Sequence, residues 1–92
     1  MLVRIKIEGQ QLGPMLADQL IVMRAKTVKM SGLAGYLYMD LQRVDFRGMV
    51  KLLVELRRVD LTADYHTGQK WEDLESWSMS KHLRNVQENG NT

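Results

Sequence analysis

Residues 2–8 read Leu-Val-Arg-Ile-Lys-Ile-Glu, a stretch in which apolar and charged side chains alternate. Successive side chains of a β-strand point to opposite faces of a sheet, so this pattern predicts a strand with one buried face. On that register Val3, Ile5 and Ile7 point inward, whereas Arg4 and Lys6 point toward solvent.

Two stretches farther along the chain alternate in the same way. Residues 36–42 place Leu37, Met39 and Leu41 on one face and Tyr36 and Tyr38 on the other. Residues 59–65 alternate again, which predicts a further strand that Thr67 and Gly68 end.

Helical patterns lie between and after these strands. Pro14 suits the first turn of a helix, because its missing N–H needs no partner there, and the pattern extends to Lys26 or Lys29. Residues 71–86 also fit a helix. Residues 46–58 fit either a helix capped by Asp45 or a strand, and the helix is favoured because helix formers dominate the segment.

These elements predict an α+β fold within one small domain. We expect one sheet of three or four strands with helices packed mainly on one face, over residues 1–86. Residues 87–92 are polar and are expected to form a frayed tail. Ninety-two residues suit a single domain.

The composition limits where the protein acts. There is no cysteine, which excludes disulfides and thiolate metal sites and fits a reducing compartment. Charges interrupt the N-terminal apolar residues, so no signal peptide is expected, and no apolar run approaches the roughly 18 residues of a membrane span. We therefore expect a cytoplasmic protein without a membrane partner.

Residue patterns that would support catalysis are weak. His66 lies two residues from Asp64, but no third ligand stands at metal-binding spacing. Glu75, Ser78 and His82 share a helical stripe, which puts them side by side rather than end to end as a catalytic triad requires. The glycines at 32–35 lack the lysine and hydroxyl residue of a phosphate loop. We expect a protein that is not an enzyme and has no cofactor or metal.

The tyrosine pair is the strongest lead to a binding surface. Aromatic side chains next to each other on a sheet stack on single-stranded bases or anchor protein interfaces. Residues 35–41, Gly-Tyr-Leu-Tyr-Met-Asp-Leu, resemble in part the central strand motif of the RNA-recognition-motif family. They depart from it at Ala34, Leu37 and Leu41, where that motif has basic, small and aromatic residues, and we assign no family on seven residues.

Basic residues complete the set of candidate partner contacts. The net charge is only +2, but residues 1–30 hold five basic and two acidic side chains, whereas residues 61–92 hold three and five. Such a gradient orients a charged partner, although the overall balance is far from that of a strongly basic nucleic-acid binder. The candidate contact residues are Tyr36, Tyr38, Arg4, Lys6, Lys26, Lys29, Arg57 and Arg58.

Together these patterns favour a non-enzymatic interaction protein. We expect a small regulator or inhibitor that occupies the surface of a larger protein or nucleoprotein complex. Size alone is typical of virus-encoded inhibitors such as anti-CRISPR proteins. The alternative is a nucleic-acid-binding regulator that uses the tyrosine pair and the nearby basic residues. A third hypothesis is a subunit of a homo-oligomer, joined through an exposed sheet edge or face.

Overall fold

A computed structural model describes residues 1–7, 9, 11–29 and 35–77, which form one antiparallel sheet of five strands with three helical segments. The third helical segment covers residues 74–77. The other elements, in chain order, are β1 (Leu2–Lys6), α1 (Pro14–Val22), β2 (Ala25–Thr27), β3 (Tyr36–Leu41), α2 (Phe46–Arg58), β4 (Thr62–His66) and β5 (Trp71–Asp73).

The strands follow the order β2-β3-β1-β4-β5, and each neighbouring pair is antiparallel. The N-terminal strand therefore lies at the centre of the sheet. From β1 to β4 the elements follow a β-α-β-β-α-β order, which is the ferredoxin-like or split βαβ arrangement. Strand β5 extends this sheet beyond β4. The arrangement fixes positions, but it does not identify a function by itself.

A single cluster of buried apolar side chains joins the sheet to the helices. Val3 and Ile5 of the central strand are each only 1% exposed, as their alternation with charged residues predicts. The other members of the cluster come from α1 and α2, from strands β3 and β4, from the third helical segment and from the chain between these elements: Leu16, Leu20, Met23, Met39, Leu41, Met49, Leu52, Leu56, Leu61, Ala63 and Leu74. That the helices pack mainly on one face of the sheet stays a prediction.

The ambiguous segment at 46–58 is a helix. The Asp45 carboxylate accepts a hydrogen bond of 2.6 Å from the Gly48 backbone N–H, which satisfies one of the unpaired donors of the first turn. Met49, Leu52 and Leu56 are buried at helical spacing. The strand alternative would have pointed Met49 away from the core, where it would have gained nothing from burial.

The prediction of three or four strands was too low, because two short strands lie in segments predicted as helices. Helix α1 ends at Val22 rather than near Lys26, and Arg24 adopts a left-handed backbone with φ of 53° that reverses the chain. Ala25–Thr27 then pairs with β3. A three-residue strand is too short to show an alternating pattern, so its hydrogen bonds to β3 decide its conformation.

The second short strand, Trp71–Asp73, pairs with β4 after a tight turn. In that turn the Thr67 N–H donates to the Lys70 carbonyl at 2.9 Å, and Gly68 has φ of 102°, a conformation that glycine adopts without strain. Residues 78–86 of the predicted last helix and the predicted tail at 87–92 lie outside the described residues. Among the described residues, no helix has the length and apolar character needed to cross a bilayer.

Candidate interaction surfaces

The first candidate surface is an aromatic cluster on the sheet face opposite the buried Val3 and Ile5. Arg4 of β1 stands directly opposite Tyr38 of β3 and Asp64 of β4, and alternation along the strand places it away from the core. The aromatic cluster consists of Arg4 with the side chains of Tyr36, Tyr38, His66 and Trp71.

Arg4 lies at the centre of this cluster. Its guanidinium carbon is 4.7 Å from the centre of the Tyr36 ring and 4.3 Å from that of Trp71, within the range of cation–π attraction. Its Nε donates a hydrogen bond of 2.9 Å to the Asp64 carboxylate. Burial opposes the charge on Arg4, but Asp64, together with Tyr38 and Tyr36, outweighs this effect and raises the pKa of the guanidinium above its usual value. The cation is therefore permanent and held in place.

The rings contact one another across three strands. The ring centres of Tyr36 and Tyr38 are 6.2 Å apart, those of Tyr38 and Trp71 are 5.9 Å apart, and those of His66 and Trp71 are 5.1 Å apart. Tyr36 is half-buried, whereas Tyr38 is only 8% exposed. The predicted tyrosine pair exists on the outer face, but Tyr38 offers no free ring face to a ligand unless its neighbours move.

The structure separates the basic residues that the sequence grouped as candidate contacts. Lys6 stands opposite Tyr36 and Lys26 opposite Asp40, so both share the face of the aromatic cluster. Lys29 is exposed just after β2. The doublet lies elsewhere, at the end of α2, where Arg57 pairs with Glu75 at 2.8 Å and Arg58 with Glu55 at 3.6 Å. Whether any of these residues contacts a partner stays a prediction.

The residues considered for catalysis or metal binding have structural contacts. His66 Nδ1 accepts a hydrogen bond of 3.0 Å from the Gly68 N–H, which closes the turn before β5. Asp64 pairs with Arg4 rather than with His66. Within the described ranges, no group of three His, Cys, Asp or Glu side chains could hold a metal ion. Ser78 and His82 lie outside those ranges, as do residues 32–34.

The second candidate surface is formed by α1 and α2. These helices run antiparallel: the Gln19 side chain donates to the Gly48 carbonyl at 3.0 Å at one end, and Arg58 Nη1 lies 3.9 Å from Met15 Sδ at the other. All the large hydrophobic side chains that are exposed among the described residues lie on these two helices. We refer to these exposed side chains together as the helical face: Met15, Ile21 and Val22 on α1, and Val50 and Val54 on α2.

A groove interrupts the helical face where the end of α1 meets the start of α2. It has a volume of about 190 Å³ and its lining includes Val22, Arg43, Asp45, Arg47 and Lys51. The ion pair between Arg43 Nε and the Asp45 carboxylate is long, at 4.0 Å. Arg47 and Lys51 form no ion pair with any residue that the structure describes. We refer to this concave site as the basic groove.

The helical face and the basic groove were missed in the sequence analysis. Val50 fits the inward stripe of a helix as well as Met49 does, yet it is 38% exposed. Which side chains of α2 are exposed depends on how the helix packs against its neighbours. The sequence pattern does not show this packing.

Comparisons with known proteins identify no relative of this chain. No family model matches it, and neither a curated protein nor a solved structure is significantly similar.

Proposed function

We propose that this protein is a non-enzymatic interaction protein, a small cytoplasmic regulator or inhibitor that occupies a surface of a larger protein or nucleoprotein complex. The observation that carries the proposal is the helical face, which collects the exposed large hydrophobic side chains of the described chain on two adjacent helices. Single exposed apolar residues are ordinary on a protein surface, but here all those among the described residues lie on two adjacent helices, which favours a docking site on these helices. The size of the chain also suits a virus-encoded inhibitor.

The energetics of the helical face favour a protein partner. Ile21 is 72% exposed, and Met15 and Val22 are each 57% exposed. Complete burial of a side chain of this kind contributes roughly 1.5–3 kcal/mol to association. Several such residues flanked by cations match the common interface plan, in which an apolar centre is surrounded by a polar rim.

Replacing Ile21 and Val54 together by Ser is expected to abolish capture of the partner. Ile21 is 72% exposed and Val54 is 41% exposed, so the free energy of unfolding should fall by no more than about 2 kcal/mol. The measurement is affinity capture from extract of the source cells, followed by titration of the purified partner with each variant.

Tyr36→Ala is the matched control, because it alters the aromatic cluster and leaves the helical face intact. It should capture the same partner as the unmodified protein. If capture survives the Ile21 and Val54 changes but is lost with Tyr36→Ala, the partner binds the aromatic cluster on the sheet and not the helical face. A mass in solution that is a multiple of the monomer, reduced by the Ser variant, would instead identify a homo-oligomer.

A second candidate function is that of a nucleic-acid-binding regulator. The β-α-β-β-α-β order supports it, because it places the strand of Tyr36 beside the central strand that carries Arg4 and Lys6. RNA-recognition-motif domains stack bases on aromatic side chains of such a sheet. The charge of this face is less favourable for binding phosphates, because Asp40, Asp64 and Asp73 lie on it and offset the cations.

If this second function is correct, single-stranded oligonucleotides should bind at low salt, and log affinity should fall linearly with log salt concentration. Tyr36→Ala should weaken binding by about fivefold to a hundredfold, because stacking contributes roughly 1–3 kcal/mol per base. Fluorescence anisotropy with labelled single- and double-stranded oligonucleotides measures both effects. Absence of binding at low salt would leave the protein partner as the target.

A further inference from the structure

We propose that the basic groove receives carboxylate side chains from an acidic amphipathic segment of the partner protein. This inference rests on the proposed function and deepens it, because it states the chemistry of the partner at one end of the helical face. It depends on three observations: the charge of the groove, its concave shape, and the exposed aliphatic side chain of Val22 in its lining.

The charge of the groove is unbalanced. Arg47 and Lys51 lie one helical turn apart on α2, and like charges at this spacing repel and oppose helix formation. Arg43 adds a third cation. Among the described residues that line the groove, Asp45 is the one acidic side chain, and one of its carboxylate oxygens already caps the helix at Gly48. An external carboxylate would relieve the repulsion and form charge-assisted hydrogen bonds with these donors.

The surroundings of the groove select among possible anions. The aliphatic side chain of Val22 lines the groove beside the cations and is 57% exposed. An occupant that fits both features carries aliphatic and acidic side chains together, as an amphipathic helix does when it lies in a groove. A nucleic-acid backbone would neutralise the cations and leave the Val22 side chain in water. A lipid surface is too flat to enter a concavity between two helices.

The test uses the full chain and a phage-displayed library of random 16-residue peptides. Peptides are selected on the immobilised protein and then synthesised for titration against variants. We expect the selected sequences to combine acidic and aliphatic residues. The double variant R47Q/K51Q should weaken their binding by about five- to tenfold, since two partly exposed ion pairs contribute modestly. K70Q is the matched control, because Lys70 is an exposed cation in the turn before β5 that pairs with Glu72 at 3.4 Å and lies on neither candidate helix, and binding should change less than about twofold.

The outcomes separate this inference from the function on which it rests. Selected peptides that are neutral or basic, or that bind R47Q/K51Q as tightly as the unmodified protein, would overturn the acidic partner. If such peptides still lose binding when Ile21 and Val54 are replaced by Ser, the helical face stands as a docking surface without the groove. The peptides could also be displaced by a single-stranded oligonucleotide at micromolar concentration, or by vesicles containing phosphatidylserine. Either result would assign the groove to that ligand and would overturn the proposal of an acidic protein segment.

Discussion

Replacing Met49 by Ala is expected to lower the free energy of unfolding by about 2–5 kcal/mol, the usual range when a buried methionine is truncated. Met49 is completely buried and lies in the cluster that joins α2 to the sheet. Truncation removes its contacts there and leaves a cavity that the surrounding side chains fill only in part. Urea denaturation followed by circular dichroism measures the effect.

Val50→Ala is the matched control for this prediction. Val50 is the next residue on α2 and is 38% exposed, so its truncation should lower the free energy of unfolding by less than about 1 kcal/mol. A large effect at Val50 with a small one at Met49 would mean that the inward face of this segment is the one expected for a strand. The pair of variants therefore tests the helix itself as well as the burial of its side chains.

Replacing Arg4 by Ala is expected to lower the free energy of unfolding by roughly 2–4 kcal/mol, because several contacts are lost together. The guanidinium interacts with the rings of Tyr36 and Trp71, and it pairs with Asp64, whose side chain is only 28% exposed. Removal of the guanidinium leaves the Asp64 carboxylate without the cation that pairs with it, and leaves the two rings without their cation–π contact. Chemical denaturation, together with the near-ultraviolet spectrum of the aromatic side chains, measures the loss.

Lys26→Ala is the control for Arg4→Ala, because Lys26 lies on the same face of the sheet but is exposed. It should change the free energy of unfolding by no more than about 0.5 kcal/mol. A result for Arg4→Ala equally close to zero would show that the rings hold the cluster without the cation. Arg4 would then be available to a ligand, which would strengthen the nucleic-acid alternative.

Several elements could be derived from the sequence because their patterns are local. Alternation in residues 2–8 correctly predicted a strand there and the inward direction of Val3 and Ile5. Alternation in residues 36–42 placed Tyr36 and Tyr38 on the opposite face, where the structure has them. Asp45 was correctly predicted to cap a helix, since the capping hydrogen bond needs only a side chain at the right position.

The candidate surfaces could be derived only in part. The sequence pointed to Tyr36 and Tyr38 as neighbours, but the burial of Tyr38 depends on Trp71, which is more than thirty residues away along the chain. Arg4 looked like a solvent-facing cation, whereas contacts from β3, β4 and β5 enclose it. Long-range contacts of this kind leave no periodic signal.

The sequence by itself determined the α+β class, the strand at residues 2–8 and the side of the sheet on which the tyrosines lie, and it favoured a helix after Asp45 while leaving a strand open. Each of these follows from spacing or from a side chain that acts on its own backbone. Only the tertiary structure decided the five-stranded order, the short strands at Ala25–Thr27 and Trp71–Asp73, and the pairing of α1 with α2. That pairing leaves Ile21 and Val54 exposed and forms the basic groove, because surfaces built from two helices exist only once those helices pack together.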